Sequence, residues 1–286
     1  MSLFALTLVL VAAVVHASWN LLAKRAGGDA TFLWLFSALA TLIYLPITLG
    51  FIVYTRPSLA VRDFVVIAGS GTLHLVYFVL LQRGYQRGDL SLVYPLARGT
   101  GPVLATLAAI LFLNERPGPI AIGGALLIGL GVFRLTWSSS VERGPELTAA
   151  IRYGLLTGLL IAIYTIWDRQ AVAAFLIPPL LLDWGAGSVR TLILMPVALR
   201  NRPQLARLWR DHRNATIGVA LLSPLSYILV LTALTFTPVS YIAPAREISI
   251  LIGTAMGTRF LAEKSGRPRL IGAGAMVLGI IALALG

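Results

Sequence analysis

The chain has 286 residues, of which 58% are hydrophobic and 12% are charged. A soluble domain carries about twice that charge, so the composition excludes one, and the absence of cysteine excludes disulfides and thiolate metal sites. The net charge of +12 does not mark a nucleic-acid binder, because most basic residues sit in short connections between apolar runs, which is the pattern of membrane topology.

Apolar runs of about 20 residues, the length that crosses a bilayer's hydrocarbon, recur from end to end. They predict ten spans at 3–23, 31–54, 63–83, 90–113, 117–137, 151–173, 176–199, 214–236, 239–261 and 268–285. No basic residue precedes Leu3–Val15, so we read the first run as a retained span and not a cleaved leader. Residues Ser138–Pro145, between the fifth and sixth spans, are the most linker-like stretch. The expected division is 1–137, a linker at 138–150, and 151–286.

The two parts repeat each other. Arg246–Ile280 overlays Arg98–Val132 at a constant offset of 148, with ten of 35 positions identical. The identities include Arg98/Arg246, Thr106/Thr254, Phe112/Phe260, Glu115/Glu263, Gly124/Gly272 and Gly131/Gly279. Earlier parts agree more weakly. Trp19-Asn20 parallels Tyr164-Thr165, Lys24 parallels Arg169, Gly84-Tyr85 parallels Ala233-Leu234, and Pro95 parallels Pro244. Five spans per unit is an odd number, so the second copy enters the membrane from the other side. The expected fold is an all-α integral membrane protein of ten transmembrane helices in two inverted five-helix repeats, an architecture typical of secondary transporters.

Sixteen Lys and Arg in the connections fall on one face and four, at Arg56, Arg62, Arg116 and Arg169, on the other. The positive-inside rule puts the larger group in the cytoplasm and both termini outside. Within it, Arg200–Arg213 carries five Arg with Leu205, Leu208 and Trp209 at helical spacing. That spacing predicts a short helix on the inner surface, drawn to anionic lipid.

The repeated endings Leu113-Asn114-Glu115-Arg116 and Leu261-Ala262-Glu263-Lys264 each precede a glycine-bearing span. With ten spans in two repeats, they make the chain resemble the drug/metabolite transporter superfamily of the EamA type, over its whole length. Within it the chain is most similar to YddG-type exporters of aromatic and other amino acids. The resemblance implies alternating access around a central cavity. The first, third and fourth helices of each repeat would line it, the second helices would stand near its mouths, and the last would pack peripherally. Independently, Gly154–Gly158 and Gly253–Gly257 have the G-x-x-x-G spacing that lets helices approach closely in lipid.

Ionisable groups inside spans are expensive. Here they are His74, Arg98, Asp183, Arg190, Arg246 and Glu247, with His16 marginal and Asp168 near a span end. For Arg98 and Arg246 two readings stand: each snorkels and holds a carbonyl or carboxylate, or the pair gates the passage and draws in a substrate carboxylate. Prolines and glycines nearby (Pro95, Gly99, Gly101, Pro102; Pro238, Pro244) are expected to break both helices and expose backbone groups. Glu247 either pairs elsewhere or carries a proton. His74, with Tyr77 one turn on, either titrates or hydrogen-bonds uncharged in a pocket. Trp19, Asn20 and Tyr164 are placed at equivalent depths toward the cavity, and Tyr94, Tyr227 and Tyr241 extend the aromatic set. No second His stands where it could share a metal. Gly69-Ser70-Gly71 and Gly129-Leu130-Gly131 lack a nucleotide loop's context. No catalytic pairing stands out, so neither an enzyme nor a cofactor is expected.

The sequence thus reads as a monomeric inner-membrane exporter of amino acids and related small metabolites. Its partners are that substrate and the bilayer; protons as coupling ion stay open against facilitated diffusion. The rivals are efflux of lipophilic cationic drugs, disfavoured because the first helix has no acidic residue, and a sugar-phosphate or nucleotide-sugar carrier, which would want more cations.

Overall fold

A computed structural model describes residues 1–25, 29–87, 90–136, 145–260 and 267–286, without the side chains of residues 25, 87, 90–92, 95, 135–136, 145–147, 150, 257–260 and 267–270. The ending Leu261–Lys264 and most of the predicted linker lie outside the described residues.

The described chain is helical throughout. In order the helices are α1 (Leu3–Arg25), α2 (Ala30–Thr55), α3 (Val61–Arg87), α4 (Leu90–Phe112), α5 (Pro119–Thr136), α6 (Pro145–Ala173), α7 (Pro179–Arg200), α8 (Arg202–Phe236), α9 (Val239–Ala245), α10 (Ile248–Phe260) and α11 (Arg267–Leu285). Five of them, α1, α2, α3, α7 and α8, are long and apolar enough to cross a membrane among the described residues, and shorter apolar helices accompany them. The protein is a multi-pass membrane protein of ten spans, the ninth of which is divided into α9 and α10.

The division falls at Arg246–Glu247. Pro244 has no N–H to continue the helical ladder, and the bonding tightens: Glu247 N–H donates to Pro244 O, Ser249 to Arg246 O and Ile250 to Glu247 O, each three residues back. The equivalent break expected in α4 does not occur. That helix runs unbroken through Gly99, Gly101 and Pro102. Packed neighbours hold a proline-bearing membrane helix together, and α6 lies along most of α4. Gly154 and Gly158 permit that approach, since a methyl at Gly154 would sit 2.7 Å from Leu96 Cβ. Gly253, read from sequence as the matching packing glycine, has its nearest neighbour, Ala17 Cβ, at 3.9 Å and is not tightly packed.

The halves interlock. Helix α1 packs against α8 and α10, and α6 against α3 and α4, so each repeat's first helix lies mainly in the other repeat. The side chains repeat the swap: Trp19 Nε1 donates to Ser226 Oγ of α8 (3.2 Å) and Trp167 Nε1 to Val66 O of α3 (2.9 Å).

Inversion is written in reciprocal contacts. Trp34 Nε1 of α2 donates to Thr191 O of α7, and Trp184 Nε1 of α7 donates to Thr41 O of α2, both at 3.0 Å. Trp34/Trp184 and Thr41/Thr191 are both equivalent pairs at an offset of 150, which Pro46/Pro196 shares. Equivalent helices that exchange equivalent bonds while running antiparallel are related by a two-fold axis across the helix direction. Helices α5 and α11 obey the same rule. A methyl at Gly124 would sit 2.6 Å from Gly279 O, and one at Gly131 would sit 2.8 Å from Gly272 O.

Helix α8 absorbs the predicted surface helix. Its 35 residues, at about 1.5 Å each, exceed the hydrocarbon thickness, and the excess bends away at His212 (φ −131°, ψ 22°). Before the bend, Leu208 packs with Phe32 and Val219. Gln204 bonds Asp29, whose Oδ1 also accepts from Phe32 N–H (2.8 Å) as the N-cap of α2.

The Leu-Asn-Glu ending of α4 has a physical role. Asn114 takes left-handed backbone (φ 53°), which Asn tolerates better than most residues, and Glu115 N–H closes the helix end on Ala109 O. The Glu115 carboxylate then accepts from Val239 N–H (2.8 Å) and Ser240 N–H (2.9 Å). An acid from the first repeat therefore caps the divided span of the second, where the helix end favours negative charge.

Candidate functional site

At the meeting of α3, α6, α8 and the α9–α10 break, polar and aromatic side chains converge in an otherwise apolar interior. Tyr164 and Asp168 lie one turn apart on α6, hence on one face. His74 stacks obliquely on Tyr164 (ring centroids 4.3 Å) and meets Tyr227 of α8 edge-on (5.2 Å). Tyr77, one turn below His74, meets Tyr164 edge-on at 5.6 Å. The cluster gathers His74, Tyr77, Tyr164 and Tyr227 from both repeats.

Asp168 is fully buried. Its Oδ2 accepts the Tyr227 hydroxyl and lies 3.7 Å from His74 Nε2. The other ring nitrogen, Nδ1, is 2.9 Å from Ser70 O. Sequence reasoning placed Asp168 near a span end and left it out of the site. Its place among the ionisable groups of the spans was the one sequence signal for it.

Charges flank the cluster. Arg98 Nε lies 3.0 Å from Glu247 Oε2, with both side chains almost wholly buried. Tyr94 lies one turn before Arg98, on the same face of α4. The pair joins α4 to the break after α9, and it places Glu247, carried by the second repeat, on the arginine of the first. Arg246 differs. Its guanidinium stands over the Tyr227 ring at 5.6 Å, a cation–π distance, and among the described residues no carboxylate lies within ion-pair distance of it. The arginines occupy equivalent sequence positions, but among the described residues one is paired with a carboxylate and the other is not.

Trp19 turns toward α8 through its bond to Ser226 and packs edge-on against His16 (4.9 Å). Asn20 does not join the cluster: it is exposed, and its amide returns to His16 O (2.8 Å) one turn back. Tyr241 is also elsewhere, its hydroxyl donating to Gly286 O (3.0 Å).

A separate small cleft opens where the repeats face each other across α2, α7 and α8. Asp183, Arg190, Tyr44, Trp184 and Phe36 stand on its wall, beside the reciprocal tryptophan bonds. Neither Asp183 nor Arg190 was placed in the site from sequence, although both appear among the intramembrane ionisable groups.

Comparisons with known proteins agree with this architecture. The sequence model of the EamA-like transporter family matches twice, at residues 3–137 and 148–285. No curated protein matches the chain. Among solved structures, one described only as a crystal structure of a protein superposes with a TM-score of 0.79 over 98% of each chain at 13% identity. That similarity speaks to the fold alone.

Proposed function

The chain belongs to the EamA-like transporter family, and from that premise we propose that it exports amino acids, those with aromatic and other neutral side chains above all, together with related small metabolites. One observation carries this reading: Arg246 is a deep cation over the Tyr227 face with no carboxylate at ion-pair distance among the described residues. A substrate carboxylate would supply the missing partner, and planar charge-assisted recognition suits guanidinium chemistry. Tyr164, Tyr77, His74 and Tyr227 offer rings against which an apolar or aromatic side chain would pack. The break at Arg246–Glu247 sets this arginine at a helix division, as in carriers with divided helices. Rocking of the interlocked repeats about this centre would expose it to each side in turn. Arg98, Glu247 and Tyr94 act in this reading as the brace that holds the break, and Trp19 as a wall.

We place the protein in a bacterial-type inner membrane as a monomer, with both termini extracytoplasmic by the Lys/Arg bias. A C-terminal fluorescent fusion that is bright in the cytoplasm would refute that orientation.

A second reading has its own observation. The cleft wall sets buried Asp183 among Tyr44, Trp184 and Phe36, a surface suited to lipophilic cations. One experiment separates the two. Proteoliposomes are loaded with radiolabelled phenylalanine, leucine, glutamate or a cationic dye, and release is followed. The amino-acid reading expects the neutral amino acids to leave and Arg246→Ala to slow them at least about tenfold, the weight of one charged hydrogen bond. Movement of the dye with no amino-acid release would reverse the choice.

A further inference from the structure

We infer that Asp168, held between His74 and Tyr227, binds one exchangeable proton within the membrane, and that this proton is the coupling ion of the carrier. The coupling half rests on the transport reading above; the proton site rests on geometry alone.

The argument is a count of hydrogens. Ser70 O can only accept, so His74 Nδ1, at 2.9 Å from it, carries a proton. In a neutral imidazole the other nitrogen, Nε2, is then a bare acceptor, and it faces Asp168 Oδ2 at 3.7 Å. Tyr227 donates its hydroxyl to that same oxygen. Two acceptors therefore oppose each other in a buried site until one more proton arrives. Bound at Nε2 it makes an imidazolium–carboxylate pair, and bound at the carboxyl it makes a neutral acid donating to imidazole. Either way the opposition of two acceptors is relieved, by an ion pair or by a neutral acid facing an imidazole. Among the described residues Asp168 Oδ1 is buried with no hydrogen-bond partner.

The site can also release that proton, because other charges face it. Arg246 from the break and Arg190 from α7 are both within electrostatic reach of His74, Asp183 of α7 is within reach of Asp168, and Tyr77 and Tyr164 complete the titratable neighbours. With the proton gone, the carboxylate keeps the Tyr227 hydroxyl and the field of the two arginines. The proton leaves to water on whichever side the centre opens.

Two measurements test this. In the first, infrared difference spectra are recorded on the substrate-free protein between acid and alkaline buffer. A carboxyl band that titrates, disappears in Asp168→Asn and survives in Asp183→Asn supports the site; a titration unchanged by Asp168→Asn overturns it. In the second, proteoliposomes take up radiolabelled phenylalanine under an imposed gradient. One proton exchanged per substrate makes about one pH unit worth about a tenfold accumulation. We expect Asp168→Asn to lose the response to the gradient while still exchanging phenylalanine, and Asp168→Glu to recover part of it. A wild-type protein that moves phenylalanine without regard to the gradient overturns the coupling. One that moves no amino acid at all defeats the substrate reading, and the infrared measurement still decides the proton site.

Discussion

Arg98 in the first repeat and Arg246 in the second descend from one position, yet Arg98 ends 3.0 Å from a buried carboxylate and Arg246 over a tyrosine ring. The residues that make the difference are themselves unequal copies. Glu247 stands where the first repeat has Gly99. Duplication supplied a symmetric frame, visible in the exchanged tryptophan bonds and the facing glycines of α5 and α11. The acid that pairs with Arg98 belongs to one side of that frame only. Symmetric contacts thus point to architecture, and broken symmetry points to the site.

The largest effect expected from this comparison is on the two arginines. Arg98→Ala leaves Glu247 buried without its cation, a loss of about 3–5 kcal/mol, read as a large drop in the melting temperature of the detergent-purified protein. Adding Glu247→Gln to Arg98→Met should recover most of it. Arg246→Ala should leave the melt nearly unchanged and cut transport. Equal melts for Arg98→Ala and Arg246→Ala would erase the distinction.

A smaller effect concerns the caps. Glu115→Gln should lower stability by about 1–2 kcal/mol by weakening the charged cap of α9. If the frame is symmetric at the opposite face, Glu263→Gln should cost a similar amount; a silent Glu263→Gln would confine the cap to one repeat. Smallest is the tryptophan pair. Trp34→Phe and Trp184→Phe each lose one hydrogen bond to a carbonyl, about 1 kcal/mol, and the two melts should agree. Clearly unequal shifts would show that the two-fold is approximate even at α2–α7.

Much of the frame was legible because the bilayer forces it. Spans must be long and apolar, so ten runs could be counted, and an odd number per repeat requires inversion. The Arg–Glu–glycine pattern of 98–132 and 246–280 fixed the second half of each repeat. The early halves were harder, because apolar residues substitute freely for one another and leave few markers. Asp168 was left out of the site because its distance from the span end, and not its neighbours on α3 and α8, was all the sequence showed. The break at Arg246 followed from Pro244, whereas α4 with the same residue types stayed whole, since helix continuity there depends on α6 alongside. The partner of Glu247 was unreadable for the same reason: it lies 149 residues away on another helix.

The crossing-over of first helices sets conditions on how the protein is made. Helix α1 reaches the membrane first, but its main partner, α8, begins only at Arg202. Until then one of its faces must rest against lipid or a helper. A ribosome that stopped after the fifth span would release an orphan that lacks its most extensive contacts. Expressed as two separate fragments, the halves should be unstable alone and recover when produced together, because neither encloses its own interior.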